Sequence, residues 1–272
     1  MRRPLRTALL AACVLAALPP ALRAEQELPS CRALSALWVN RYYGKLRPDW
    51  AKRELRCDLL DAGKPDGLER KEQIDLTVAR AAYILDATEW TRRAPMFTKP
   101  LVSYGGLSGP PDSMLDWVSS RTTGLVYSRE VSGAYRHGGN GHIYLGGDNF
   151  TTQAVNSGLD GIALAPQLVH EARHADEPHV LCTRQKTGDD PACDTTITEE
   201  FNGGGAHGVA ALWCAWIANY SRWPSSYRMK AQGVALWAMG PEGGRINDQA
   251  SADLWTCRYF NTRVWDRKKK CP

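Results

Sequence analysis

The chain has 272 residues, 43% of them hydrophobic and 23% charged, enough apolar material for one sizeable core or two small ones. The formal net charge of +5 is modest, and part of it sits in Arg267-Lys268-Lys269-Lys270, a solvated tail or a weak surface attachment to anionic lipid or wall polymer. With neither a basic helix nor an aromatic stacking platform, this balance argues against nucleic acid as a partner.

Residues 1–24 read as a secretory signal peptide: Met1-Arg2-Arg3-Pro4-Leu5-Arg6, an apolar run from Ala8 to Leu18, then Leu22-Arg23-Ala24 before Glu25-Gln26-Glu27. The run is too short for a transmembrane segment. Leu10-Ala11-Ala12-Cys13 offers a second reading, lipid anchoring at Cys13, but the apolar run continues past it. The expected location is periplasmic or secreted.

Export puts the mature cysteines in an oxidising compartment. Removing Cys13 from the eight leaves seven, an odd number. Proximity pairs Cys31 with Cys57, Cys182 with Cys193 and Cys257 with Cys271, leaving Cys214 alone in an apolar helix, although spacing does not determine connectivity. No Cys-x-x-Cys pair occurs, which disfavours a cysteine-only zinc site.

Residues 25–110 form an N-terminal region whose first part, 25–90, is helical in pattern. Leu34, Leu37, Trp38 and Tyr42 share a face, and Ile74, Val78, Ala81, Ala82 and Leu85 form a second stripe, with a loop at Asp61–Gly67 between them. The Pro- and Gly-rich stretch from Pro95 to Asp112 marks a boundary to a second region, 111–272. There Gly124–Ser128 and Gly141–Gly146 read as two strands of one small sheet, and His137 and His142 flank a glycine-rich hairpin loop.

Chemistry appears in Leu168-Val169-His170-Glu171-Ala172-Arg173-His174-Ala175-Asp176. Two histidines four apart lie on one helical face, where two neutral imidazoles can bind one Zn²⁺, and Glu171 between them can serve as general base on water. Ala165, Leu168, Val169 and Ala172 form an apolar stripe nearly opposite the histidines. With Pro166 in the first turn and Pro178 beyond the end, the spacing predicts a helix over 165–176. All six histidines (137, 142, 170, 174, 179 and 207) fall within one stretch of the chain. Farther on, Val209, Leu212, Trp213, Trp216, Ile217 and Tyr220 predict a buried helix after Gly203–Gly205.

A strand, a His-Glu-x-x-His helix, a loop and a second buried helix together resemble the zincin superfamily of zinc metallopeptidases, over about residues 120–220. The pattern and the cysteines predict an α+β, mostly helical, disulfide-stapled fold; the resemblance implies a zincin-like core in it, with His170 and His174 as zinc ligands, Glu171 as general base, and a third protein ligand downstream. For that ligand His179 comes first, although it arrives one position earlier than the third histidine of the metzincin motif. Glu199 or Glu200 follows, as the glutamate that gluzincins take from their second helix, and His207, His142 and His137 come last. Asp176 is an alternative orienting partner for a ligand histidine. His207 is also a candidate oxyanion electrophile, or simply a helix-start residue, and residues 142–145 are the candidate edge strand for pairing with extended substrate.

The function expected is an exported zinc-dependent hydrolase acting on a peptide, protein or cell-wall peptide. The alternatives are a secreted zinc-binding or adhesive module with a closed, four-ligand site, and a metal-free, disulfide-stapled binding protein.

Overall fold

A computed structural model describes residues 25–50, 54–64, 67, 70–88, 113–147, 150, 155, 157–176, 205–240 and 256–257, together with the backbone at 180–181 and 192–193. Among these the fold is mostly helical with small sheets, as an α+β chain should be. No helix in the described residues is long and apolar enough to cross a membrane.

The N-terminal segment begins as helix α1 (Cys31–Leu37), widens through a π-helical turn (Trp38–Tyr42) and closes as α2 (Tyr43–Leu46). Trp38 and Tyr42 are both buried, whereas Leu37, expected on the same face, is only half-buried. The wider turn was not legible in the 3.6-residue pattern. Arg47 stops α2 in the left-handed conformation, at φ 46°, and turns the chain toward the sheet.

After α3 (Cys57–Asp61), tied to α1 by the Cys31–Cys57 disulfide, comes the long helix α4 (Arg70–Ala87). Its expected stripe is buried, and so are Leu76, Thr77, Ala79 and Ile84, because α4 is packed on several sides. Helix α5 (Met114–Ser119) starts at Ser113, whose hydroxyl accepts from the Asp116 N–H at 3.4 Å and donates to Asp86 at 3.1 Å.

Strands β1 (Gly124–Ser128), β2 (Ala134–Arg136) and β3 (His142–Gly146) follow. Their order is β1-β3-β2, with β1 parallel and β2 antiparallel to β3. The two expected strands do pair, and residues 137–141 form the expected hairpin loop, closed by Gly141 N–H donating to the His137 carbonyl at 2.9 Å. Beyond β1, Pro48 makes one isolated parallel bridge to Leu125: Asp49 N–H donates to Leu125 O at 2.8 Å and Leu125 N–H to Arg47 O at 3.3 Å. A Cβ on Gly124 would lie 2.5 Å from the Arg47 carbonyl, so only glycine permits this approach.

Helix α6 (Asp160–Arg173) carries the His-Glu-x-x-His residues and touches α4, α5, β2, β3 and the last two helices, α7 (Ala206–Tyr220) and α8 (Ser225–Met239). It starts five residues earlier than its pattern predicts and ends earlier too, so His174 caps it rather than lying inside it. Pro166 therefore sits in the interior, not the first turn. Loss of the bond to the Ile162 carbonyl costs about 3 kcal/mol, which burial of both faces offsets: Ile162, Leu164, Ala165, Leu168, Val169 and Ala172 are all buried.

The early start is secured from α4. Asp160 is buried, accepting from Thr77 Oγ1 and from Arg80 Nη1, each at 2.8 Å, and its charge also complements the positive end of α6. Helices α7 and α8 form an antiparallel pair over α6. α7 was expected and is buried along most of its length; α8 was not anticipated.

One hydrophobic cluster runs from Leu34 to Met239 and draws on both sides of the boundary expected at Pro95–Asp112, which itself lies outside the described residues, as do 1–24 and the basic tail. Strands β4 (Val180–Leu181) and β5 (Ala192–Cys193) pair antiparallel and set the backbone of Cys193 opposite Val180; Cys182 is outside the described residues. Cys257 is disulfide-bonded, its partner also lying outside them.

Two helix glycines should respond oppositely to alanine. A Cβ at Gly161 would fall 2.6 Å from Arg80 Cβ and 3.0 Å from its backbone, so Gly161→Ala should destabilise by about 1–3 kcal/mol through forced separation of α4 and α6. Gly233, in open space on α8, should stabilise as Gly233→Ala by up to about 1 kcal/mol. Urea midpoints at constant slope would show both. Removing the disulfide across 26 residues, as Cys31→Ala with Cys57→Ala, should cost about 3 kcal/mol in the same titration.

Candidate metal centre and catalytic cleft

His170 and His174 project from the last turn and cap of α6, where i, i+4 spacing stacks their side chains. The Nε2 atoms are 3.1 Å apart and the rings meet edge-on, with centroids 4.7 Å apart. Two Zn–N bonds of the usual length at a tetrahedral angle set their nitrogens about 3.3 Å apart, so the pair fits one ion with small adjustment. Without an ion, the same spacing lets one Nε2–H donate to the other ring. Glu171 Oε1 is 3.8 Å from His170 Nε2, and the donor atoms of His170, Glu171 and His174 all lie within 4.8 Å of one another. Glu171 is 5% exposed, the burial expected of a carboxylate set to work in a cleft rather than in bulk water.

His179 immediately precedes β4, and it, Glu199 and Glu200 lie outside the described residues. His137 and His142 belong to the hairpin: His137 Nδ1 accepts from Gly139 N–H at 3.2 Å and His142 Nδ1 lies 3.1 Å from Thr123 Oγ1. Neither joins the metal-competent group found among the described residues.

Two expectations need correction. Asp176 does not face a ligand histidine: its Oδ2 accepts from Arg121 Nε at 2.7 Å and Arg173 Nη1 at 3.4 Å. The buried Arg173 guanidinium needs a carboxylate nearby, and Arg121, lying over the Trp117 ring at 4.4 Å, brings a second cation to it. Nor is 142–145 an edge strand. The hairpin folds β2 back along it, so β3 is central and β2 is the edge nearer α6. Bonds at His137 N–H to His142 O and Gly146 N–H to Gly133 O fix the alternation, which turns the backbone groups of Ala134 and Arg136 away from β3.

His207, in the first turn of α7, does reach the site. Its ring centroid is 4.4 Å from that of His170 and 6.0 Å from that of Trp237 on α8. Between these elements opens a cavity of about 400 Å³. His170, Glu171 and His207 line it, facing Ala134 on β2 and Lys230 and Trp237 on α8. The α8 wall and Gln167 were missed. Lys230, Val234, Trp237 and Ala238 follow helical spacing and were open to the periodicity argument, but nothing local ties them to a site more than fifty residues upstream.

No protein-family model, no curated protein and no solved structure matches this chain.

Cys214 is the free cysteine among the described residues and is buried in α7, as expected of the unpaired thiol. Desolvation pushes its pKa well above the ordinary thiol value, which keeps it a neutral thiol, neither nucleophile nor ready ligand. A water-soluble disulfide reagent should leave it unmodified in the native protein near pH 8 and titrate it on unfolding; rapid native reaction would mean α7 is not packed as described.

Proposed function

We propose that the chain is an exported zinc-dependent hydrolase that cleaves a peptide bond. The observation that carries this reading is that His170 and Glu171, two of the three clustered donors, line a cavity of about 400 Å³, with His174 beside them. A structural site is enclosed by four protein ligands, whereas donors facing a substrate-sized space leave room for water and a carbonyl. The Cys31–Cys57 disulfide supports an oxidising location.

His170 and His174 would hold the ion, with His179, Glu199 or Glu200 as the third ligand. When bound, zinc supplies Lewis acidity to a carbonyl and lowers the pKa of coordinated water. Glu171 takes a proton from the attacking water as its oxygen adds to the carbonyl carbon, and returns that proton to the nitrogen as the C–N bond breaks. His207, its ring against that of His170, donates an N–H to the carbonyl oxygen as negative charge develops there. The outward backbone groups of Ala134 and Arg136 on β2 hold an extended substrate by strand addition. Protein and cell-wall peptide both fit this chemistry.

Mature protein should carry about one zinc per chain by elemental analysis, and His170→Ala should lose it. Chelator should lower the melting temperature of the wild type and leave that of the variant unchanged. Glu171→Gln should keep the zinc and lose turnover of a peptide library by about 10²-fold or more. Zinc retained with four protein ligands and no cleavage would favour a structural module. No zinc in either protein, even when it is offered, would favour a disulfide-stapled binding protein.

A further inference from the structure

We infer that the groove between α6 and α8 recognises a carboxylate on the substrate, with Lys230 supplying the charge and Gln167 an amide contact on the way. The inference rests on the hydrolytic reading above and names the class of substrate that reading leaves open.

The groove has a direction. His207 contacts both His170 and Trp237, which puts Trp237 at the metal-ligand end. Lys230 lies seven residues before Trp237 on α8, two helical turns or about 10 Å away, and lines the same cavity. An extended peptide covers that distance in about three residues. Val234 lies between them on the same face, as i, i+4, i+7 spacing requires.

The groove presents one buried polar atom without a partner and one exposed cation. Gln167, one turn before Glu171 on α6, lines the cavity, and its Oε1 is buried without a hydrogen-bond partner among the described residues. A buried amide oxygen without a donor is costly, a cost that a substrate N–H would relieve. Lys230 is exposed at the mouth, and no carboxylate pairs with it among the described residues. Trp237, 58% exposed, presents its ring beside the same opening. An amide acceptor, a cation about three residues along and an apolar wall between describe a short peptide bearing an acid. A terminal carboxylate and an acidic side chain share that chemistry.

Three zinc-directed probes separate these sources: malonyl hydroxamates of Ala-Ala with a free C-terminus, of Ala-Ala-amide, and of Ala-Asp-amide. Their dissociation constants would be measured by calorimetry on zinc-loaded wild type, Lys230→Met, Lys230→Arg and Gln167→Leu, with zinc content determined on each sample. At least one acidic probe should bind the wild type about tenfold tighter than the neutral amide, and which one does identifies the source of the carboxylate. Lys230→Met should erase that preference, Lys230→Arg should keep it, and Gln167→Leu should weaken all three probes alike. Equal binding of the three probes to wild type, or a preference surviving in Lys230→Met, would overturn the subsite; if zinc is then present at about one per chain, the hydrolytic reading stands without it. Absence of zinc would remove both.

Discussion

The seating of α6 against α4 is the constraint on which the rest of the structure depends. α6 is buried from both sides, yet it carries two half-buried imidazoles and a carboxylate, and His170 and Glu171 line a cavity. The conflict is resolved along its length. The first turns are locked: Gly161 lets the backbones of α4 and α6 approach, and Asp160 is held by Thr77 and Arg80. The last turn is left half open, and there His170 and His174 emerge. A shift at the first end would be carried by a rigid helix directly to the donor atoms at the other.

The elements around α6 divide the remaining work. α4 anchors it, α5 and the Arg121–Asp176–Arg173 contacts hold its C-terminal end, and α7 brings His207 across from His170. β2 offers the sheet edge on one side of the cavity and α8 the second wall. In the proposed chemistry α6 supplies both imidazoles and the carboxylate, while His207 and the β2 edge come from elements packed against it. Such a site tolerates little rearrangement of the core.

Legibility followed the range of the interactions. The stripe Ala165, Leu168, Val169 and Ala172 needs only helical periodicity, and all four residues are buried as expected. The strands at 124–128 and 142–146, the hairpin loop, the buried α7, the Cys31–Cys57 pair and the free Cys214 were legible in the same local way. The start of α6 was misjudged because Pro166 was read by its local preference for a first turn. Packing against α4 outweighs that preference, and nothing near Pro166 in the chain signals it. Asp176 was read through its histidine neighbour, whereas Arg121, 55 residues away, takes its carboxylate.

By itself the sequence determined that three donors come together, since the spacing His170-Glu171-x-x-His174 on a helix follows from bond geometry alone. It equally determined which faces are apolar, because periodicities of 3.6 and 2 are properties of the backbone. Only the tertiary structure decided what those donors face. Strand order is set by how the hairpin folds back, which makes β2 the edge and β3 the centre. The cavity wall comes from α8, brought alongside α6 by burial of apolar area that no short window of residues encodes. Solvent-driven packing is non-directional and acts between residues distant in the chain, so it appears only once the chain has folded.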